Sequence, residues 1–316
     1  MSAIAMHAND PWSFHRPMAA FENARSAFKA VLAQAARFKR RTVLLPAYIG
    51  WSHREGSGVF DPVRELGLSY QFYQVDHELR IDLEDLRRQL EAHSPSVLLL
   101  IHYFGYIDPG YPKAAELAQR HDAVLVEDEA HAMLTDLVGG ACGRLGDVCL
   151  FSFHKLLPVQ MGGALVVNPS GLERFSSLLE AEVPIVLCQY ELHSMAARRK
   201  ENAKLLAELL QPLAGRVDPL WGPPGAGEVP QTFPVRISGV SRDKLYFAMN
   251  AAGFGVVSLY HTLVSEISAP RYPISHSLSQ EVMNLPIHSD ATQADIEEMV
   301  KYLPIAMDEI ARAPGS

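Results

Sequence analysis

Asp128 stands at the end of an apolar run, Ala123 to Val126 followed by Glu127-Asp128-Glu129, and His131 follows three residues later. Further along, Ser152-Phe153-His154-Lys155 directly succeeds a second run, Val148 to Phe151. An acid, a hydroxyl and an amine are therefore each delivered at or just past a strand-like segment. A lysine amine can form a Schiff base with an aldehyde cofactor, and a carboxylate at a pyridine nitrogen keeps it protonated and makes the ring an electron sink. A nearby hydroxyl suits a phosphate. These residue types fit a pyridoxal phosphate site.

Other patterns compete poorly with that reading. Gly139, Gly140, Gly143 and Gly146 have the spacing of a phosphate loop, yet no strand leads directly in and no helical pattern follows, so a turn is expected. Glu127, Asp128, Glu129 and His131 include metal-ligand types, but consecutive strand residues point to opposite faces and no second cluster completes a site, so no metal is expected. The run Lys39-Arg40-Arg41 reads as a solvated helix end. With 28 basic against 36 acidic side chains and a net charge of −8, the 316-residue chain is no strongly basic nucleic-acid binder. Three scattered cysteines, Cys142, Cys149 and Cys188, make no disulfide framework and point to a reducing compartment. Met1 to Phe14 lacks the apolar core of a signal peptide, and Val97 to Ile107 is too short to span a bilayer. A cytoplasmic protein with no membrane partner is expected.

The elements that must hold these residues alternate. Ser26 to Phe38 has helical spacing and Thr42 to Leu45 is strand-like; Ser69 to Gln74 is a strand, and Asp82 caps a helix carrying Leu83, Leu86 and Leu90. Val97 to His102, a helix near Lys113 to Arg120, and strands at 123–126, 148–152 and 164–167 complete the pattern. Wholly apolar strands separated by amphipathic helices predict an α/β fold with a mainly parallel sheet covered by helices on both faces. In such sheets ligands bind beyond the carboxyl ends of the strands, where Asp128 and Ser152 fall. A long helix over 193–213 leads to a Gly/Pro-rich break, Trp221 to Gly227. A smaller α+β unit follows, with a strand at 232–237, a helix capped by Ser241, and a last helix opened by the capping-box pair Thr292 and Asp295. The expected division is a large cofactor-binding domain, 1–190, and a smaller C-terminal α+β domain, 191–316.

With these motifs in order, the sequence resembles the DegT-type sugar aminotransferases, pyridoxal-phosphate enzymes of the aspartate-aminotransferase fold (fold type I). The resemblance rests on Arg25-Ser26-Ala27, LLPAY at 44–48, IHYFG at 101–105, EDEAHA at 127–132, GDVCLFSFHK at 146–155, GGALVV at 162–167 and NLPIH at 284–288. It implies that Lys155 bonds the cofactor and moves a proton on the substrate, that Asp128 pairs with the ring nitrogen, and that His131 contacts the phenolic oxygen. It also implies phosphate binding by Ser152, by the Ser26 hydroxyl and by the amides of Ser26 and Ala27 at a helix start. Trp51 is the candidate for the aromatic ring stacked on the cofactor, with Tyr48 its competitor. The implied reaction moves an amino group, from glutamate, to a keto-sugar that can be nucleotide-linked, in polysaccharide or natural-product synthesis, by a homodimer.

The chain departs from the family pattern at several points. Lys155 lies three residues after Ser152, Met161 stands where an acid usually precedes the paired glycines, and Ala24-Arg25-Ser26 replaces a small-Gly-Thr motif, so Arg25 becomes an added phosphate or substrate contact. The stretch from 168 to 233 is several dozen residues short, and it is where relatives carry an asparagine loop that reaches the neighbouring subunit. Either another segment does that work or the substrate is not a full nucleotide-linked sugar. Two other readings remain open: a pyridoxal-phosphate-dependent dehydratase or lyase, against which Lys155 argues, and a non-catalytic cofactor-binding regulatory protein.

Overall fold

The computed structural model describes residues 16–180 and 185–312; the segment Met1 to Phe14, read above as carrying no signal peptide, lies outside them. In chain order the elements are β1 (Met18–Phe21), α1 (Ala24–Arg37), β2 (Thr42–Pro46), α2 (Phe60–Glu65), β3 (Ser69–Tyr73), α3 (Leu83–His93), β4 (Ser96–Ile101), α4 (Tyr111–Arg120), β5 (Val124–Asp128), β6 (Val148–Ser152), β7 (Gly163–Val167) and α5 (Leu172–Phe175). There follow α6 (Leu192–Leu209), β8 (Val217–Pro219), β9 (Thr232–Ile237), α7 (Arg242–Ala251), α8 (Pro273–Glu281), β10 (Val282–Pro286) and α9 (Gln293–Arg312).

Seven strands form one sheet in the order β1-β7-β6-β5-β4-β2-β3. The run from β3 through β6 is parallel, whereas β7 is antiparallel to both β6 and β1. Every residue of β4, β6 and β7 is buried. That explains their almost wholly apolar composition, broken only by a serine at the start of β4 and at the end of β6, since a strand covered on both faces has no side to give to polar residues. One core, built on Phe28, Val31 and Leu32 of α1, lies on one face of this sheet, and a second, built on Leu86, Leu90, Tyr111 and Leu117 of α3 and α4, lies on the other. The remaining strands make a separate antiparallel sheet, β10-β9-β8, covered by α6, α7 and α9.

Several local signals act as expected. Asp82 accepts from the amides of Glu84 and Asp85 to start α3. At α9, Thr292 N donates to Asp295 Oδ2 (2.8 Å) while Asp295 N donates to Thr292 Oγ1 (3.2 Å), a reciprocal capping box. Other readings need correction. The first helix starts at Ala24, not Ser26, because Asn23 is its cap. Arg40 is no solvated helix end: it is buried and donates to Asp122 Oδ2 at 2.5 Å. The Gly/Pro segment after Trp221 is not a free break either. Trp221 is buried, its Nε1 donates to Glu78 O (2.8 Å), and the Arg80 guanidinium lies 4.4 Å over its ring. The segment thereby straps the second half of the chain onto the large sheet.

Candidate active site

β5 ends at Asp128, and the chain then turns so that His131 faces back over the carboxyl end of the sheet. β6 ends at Ser152 and passes through one tight turn, Phe153–Lys155. The two adjacent strand ends bring Lys155 Nζ to 3.0 Å from His131 Nε2. They open into a cavity of ≈ 620 Å³ that is also bordered by Ala24 and Arg25 of α1, the 49–59 loop, and Ser258 to His261. Such a volume lies within the range of small-molecule sites.

The hydrogen bonds set the protonation state. Phe104 N–H donates to His131 Nδ1 at 3.2 Å, so the neutral ring carries its proton on Nε2. That N–H points at Lys155 Nζ, which can accept it only as a neutral amine. Burial supports the same state: it pulls the Lys155 amine below its ordinary range against the opposing charges of Asp128 and Glu55, and it pulls His131 well below the usual imidazole range, with Lys155 adding to the effect. A neutral amine is the nucleophilic form. Asp128 is pushed up by burial, opposed by Lys155 and by the Ala130 amide, which donates to Oδ1 at 2.9 Å. Its carboxylate would be restored by a cation placed beside it, such as a protonated pyridine nitrogen.

The other predicted residues divide. Ser152 and Arg25 border the cavity, and Trp51 does so with its ring edge-on to His53. Arg25 donates to Glu55 O and lies 4.0 Å from Asp61 Oδ2. Tyr48 is fully buried and packs on Tyr260, outside the cavity wall. The Ser26 amide and hydroxyl both go to Asn23 Oδ1 (2.8 and 3.1 Å), and Ala27 N donates to Asn23 O (3.2 Å). The helix cap therefore takes the groups expected to hold phosphate. Ala24 and Arg25, the first two residues of α1, border the cavity instead. Gly163 allows this: a Cβ there would lie 2.6 Å from Ala24 N and 2.6 Å from Asn23 C.

The opposite face of β5 is structural. Glu127 accepts from His102 Nε2 (2.9 Å) and from the amides of Gly143 (2.9 Å) and Gly146 (2.6 Å). The glycine-rich stretch is thus a turn wrapped around a buried carboxylate, and His102 is its partner, not a cavity residue. Glu127 and Glu129 are both fully buried here, on the side of the sheet away from Lys155, and the fold brings one ligand atom each of His102, Glu129 and Cys142 within 4.8 Å.

Sequence reasoning missed Asn23, Gln231 and Tyr260. The run Glu22-Asn23-Ala24 did carry a cap signal, since Asn ranks with Ser at that position. Gln231 Nε2 donates to Lys155 O (3.1 Å) and its amide to Phe104 O (2.7 Å), tying together the turns that carry the lysine and orient the histidine. Local sequence holds no sign of that link.

Residues 14–182 and 185–304 match the DegT/DnrJ/EryC1/StrS aminotransferase family. Among curated relatives, GDP-perosamine synthase of Caulobacter vibrioides is 23% identical over 240 residues, which cover 65% of this chain and 64% of that protein. The dTDP-4-dehydro-2,3,6-trideoxy-D-glucose 4-aminotransferase of Saccharopolyspora spinosa is 36% identical over 96 residues, 29% of this chain and 24% of that one. The matches thus span less than two thirds of these relatives' lengths. Among solved structures, the PLP form of Spr1654 from Streptococcus pneumoniae superposes with a TM-score of 0.77 at 13% identity, covering 95% of this chain and 90% of that one. A DegT DnrJ EryC1 StrS aminotransferase from Brucella abortus gives 0.72 at 18%, covering 94% and 86%. These likenesses establish the fold.

Proposed function

For a chain that belongs to the DegT/DnrJ/EryC1/StrS aminotransferase family, we propose a pyridoxal-phosphate-dependent aminotransferase that transfers an amino group to a keto-sugar. The observation that carries this reading is Lys155 Nζ held 3.0 Å from His131 Nε2 in the same cavity as Asp128. The donor set fits the cofactor: an amine for its aldehyde, a carboxylate at a strand end for its ring nitrogen, and Ser152 with the start of α1 for its phosphate. When bound, pyridoxal phosphate supplies an aldehyde and an electron-withdrawing ring that stabilises negative charge on a substrate carbon.

The chain's own groups do the rest. Lys155, once its amine is free, would be placed to take a proton from the substrate carbon and to deliver it to a second carbon two bonds away, across the transferred nitrogen. His131 Nε2–H orients the lysine and donates to an oxygen brought beside it. Asp128 would hold a positive ring nitrogen, and burial of the carboxylate would strengthen that pairing. Arg25 and Arg54 border the mouth of the cavity and attract anionic substrates.

The reading includes glutamate as amino donor, a homodimer as the working form, and a cytoplasmic location. Among the described residues no helix is long and apolar enough to cross a membrane. The test is direct. Protein reconstituted with pyridoxal phosphate should gain a visible absorbance band that Lys155→Ala loses, and glutamate should bleach the band and release 2-oxoglutarate. Protein that takes up no cofactor sinks the proposal. Retention of the band with every amino donor would favour the regulatory reading.

A further inference from the structure

Two aromatic side chains border the cavity beside its reactive groups, Trp51 and Tyr260. Tyr260 sits in a segment that docks as an extra strand on the loop after β2: Gly50 bridges Leu263, Trp51 N donates to Thr262 O (2.9 Å) and Val264 N to Ile49 O (3.0 Å). The ring's position depends on a missing side chain. A Cβ on Gly50 would lie 2.9 Å from Tyr260 Cδ1 and 3.6 Å from Cε1, so the tyrosine fills the space that a residue 50 side chain would occupy. Tyr260 also holds φ at 61°, a left-handed conformation unfavourable for an aromatic residue and worth noting where it borders a ligand cavity. Behind it stand Tyr48 and Tyr103, with centroids at 5.2 and 5.5 Å. On the cavity side its centroid is 6.0 Å from that of His131. Trp51, by contrast, packs edge-on against His53 at 4.6 Å.

We propose that Tyr260, and not Trp51, is the aromatic wall against which the pyridine ring of the cofactor rests, its place opened by Gly50 and its ring braced by Tyr48 and Tyr103. The inference rests on the cofactor site proposed above. It makes the second half of the chain a direct contributor to the cofactor pocket, through a segment more than two hundred residues after the start of α1.

Pyridoxamine phosphate, which forms no bond to Lys155, isolates the non-covalent contact. Its affinity for apoprotein is measured by calorimetry for wild type, Tyr260→Gly, Trp51→Leu and the double variant Gly50→Phe/Tyr260→Gly. Glycine relieves the strained backbone at 260, so the single variant is expected to fold, which circular dichroism checks. Tyr260→Gly should weaken binding about tenfold, the order of one lost aromatic contact. Moving the ring to residue 50 in the double variant should recover most of that loss, and Trp51→Leu should cost less than about threefold. If Tyr260→Gly does not fold, Gly50→Ala, which pushes a methyl group into the ring, should show the weakening instead. Unchanged affinity in Tyr260→Gly or Gly50→Ala, or a larger loss in Trp51→Leu, overturns the assignment of Tyr260 alone. Wild-type protein that binds neither pyridoxamine phosphate nor pyridoxal phosphate overturns the cofactor reading with it.

Discussion

Gly163→Ala probes how the large sheet places the helix start at the cavity. Its methyl carbon would lie 2.6 Å from both Ala24 N and Asn23 C and 2.7 Å from Phe151 O, where ordinary contacts begin at 3.4 Å. All three are backbone atoms, so no side chain can swing aside: the shortfall of about 0.8 Å against Asn23 and Ala24 must be met by moving α1 away from β7, and the contact with Phe151 O by a shift of β7 against β6. Overpacking of this kind costs about 1–3 kcal/mol. For a protein of this size that is a fall in Tm on the order of 2–5 °C. The same displacement takes the Ala24 and Arg25 amides out of reach of a phosphate, and losing one hydrogen bond to a charged group costs about 1.5–3 kcal/mol, or roughly ten- to a hundredfold in cofactor Kd. Calorimetric unfolding of apoprotein reads the first effect and pyridoxamine phosphate titration the second. Gly222→Ala is the control, because a Cβ there meets no atom within 4 Å, and its expected change is within about 0.5 kcal/mol. Should Gly163→Ala match wild type in both measurements, the close approach of β7 and α1 is not what builds the cradle.

Three further outcomes follow from the charges. Burial raises the Asp128 pKa above its ordinary 3.8, so the folded apoprotein is penalised at neutral pH relative to an unfolded chain whose carboxylate ionises freely. Asp128→Asn, which keeps the acceptor for Ala130 N, should therefore raise apoprotein stability at pH 7, lose that gain as pH falls below the unfolded value, and abolish transamination; equal stability at all pH would refute the burial argument. Lys155 is depressed, so its penalty is absent above 10.5 and grows as pH falls below it. Lys155→Met should accordingly be no less stable than wild type at pH 7 by urea unfolding. Glu127 is held below its ordinary 4.5 despite the opposing effect of burial, by His102, Tyr111 and the Gly146 amide. Its contribution is present above 4.5 and lost as acid protonates it, and Glu127→Gln should destabilise by about 3–5 kcal/mol at pH 7; a loss below 1 kcal/mol would show that the glycine turn stands without it.

Strand ends were the most legible part of this site. Asp128 and Ser152 terminate apolar runs whose burial forces the polar residue to the edge, so their convergence with Lys155 follows from sheet order once a parallel sheet is assumed. Capping was legible in kind but ambiguous in place. Asn23 and Ser26 both suit a helix start, and the choice is made by Gly163, whose approach from β7 lies far along the chain. The pattern of Gly and Pro after Trp221 describes the backbone correctly and says little of the indole, which is buried through contact with Tyr106 and Arg80. Tyr260 left no local trace, because its exposure to the cavity is decided by an empty position at Gly50 in another part of the sequence.

The pairing of β1 with β7 sets an order of events during synthesis. Met18 lies opposite Val166 and Phe21 opposite Gly163, so the first strand of the described chain finds its place only after the last strand of the large sheet has been made. Contacts so distant in sequence form slowly, because a long loop must close before they are rewarded. The helix that follows β1 consequently leaves the ribosome well before the strand that seats it. A nascent chain halted before residue 163 would carry Lys155 and Asp128 with no anchored anion cradle beside them.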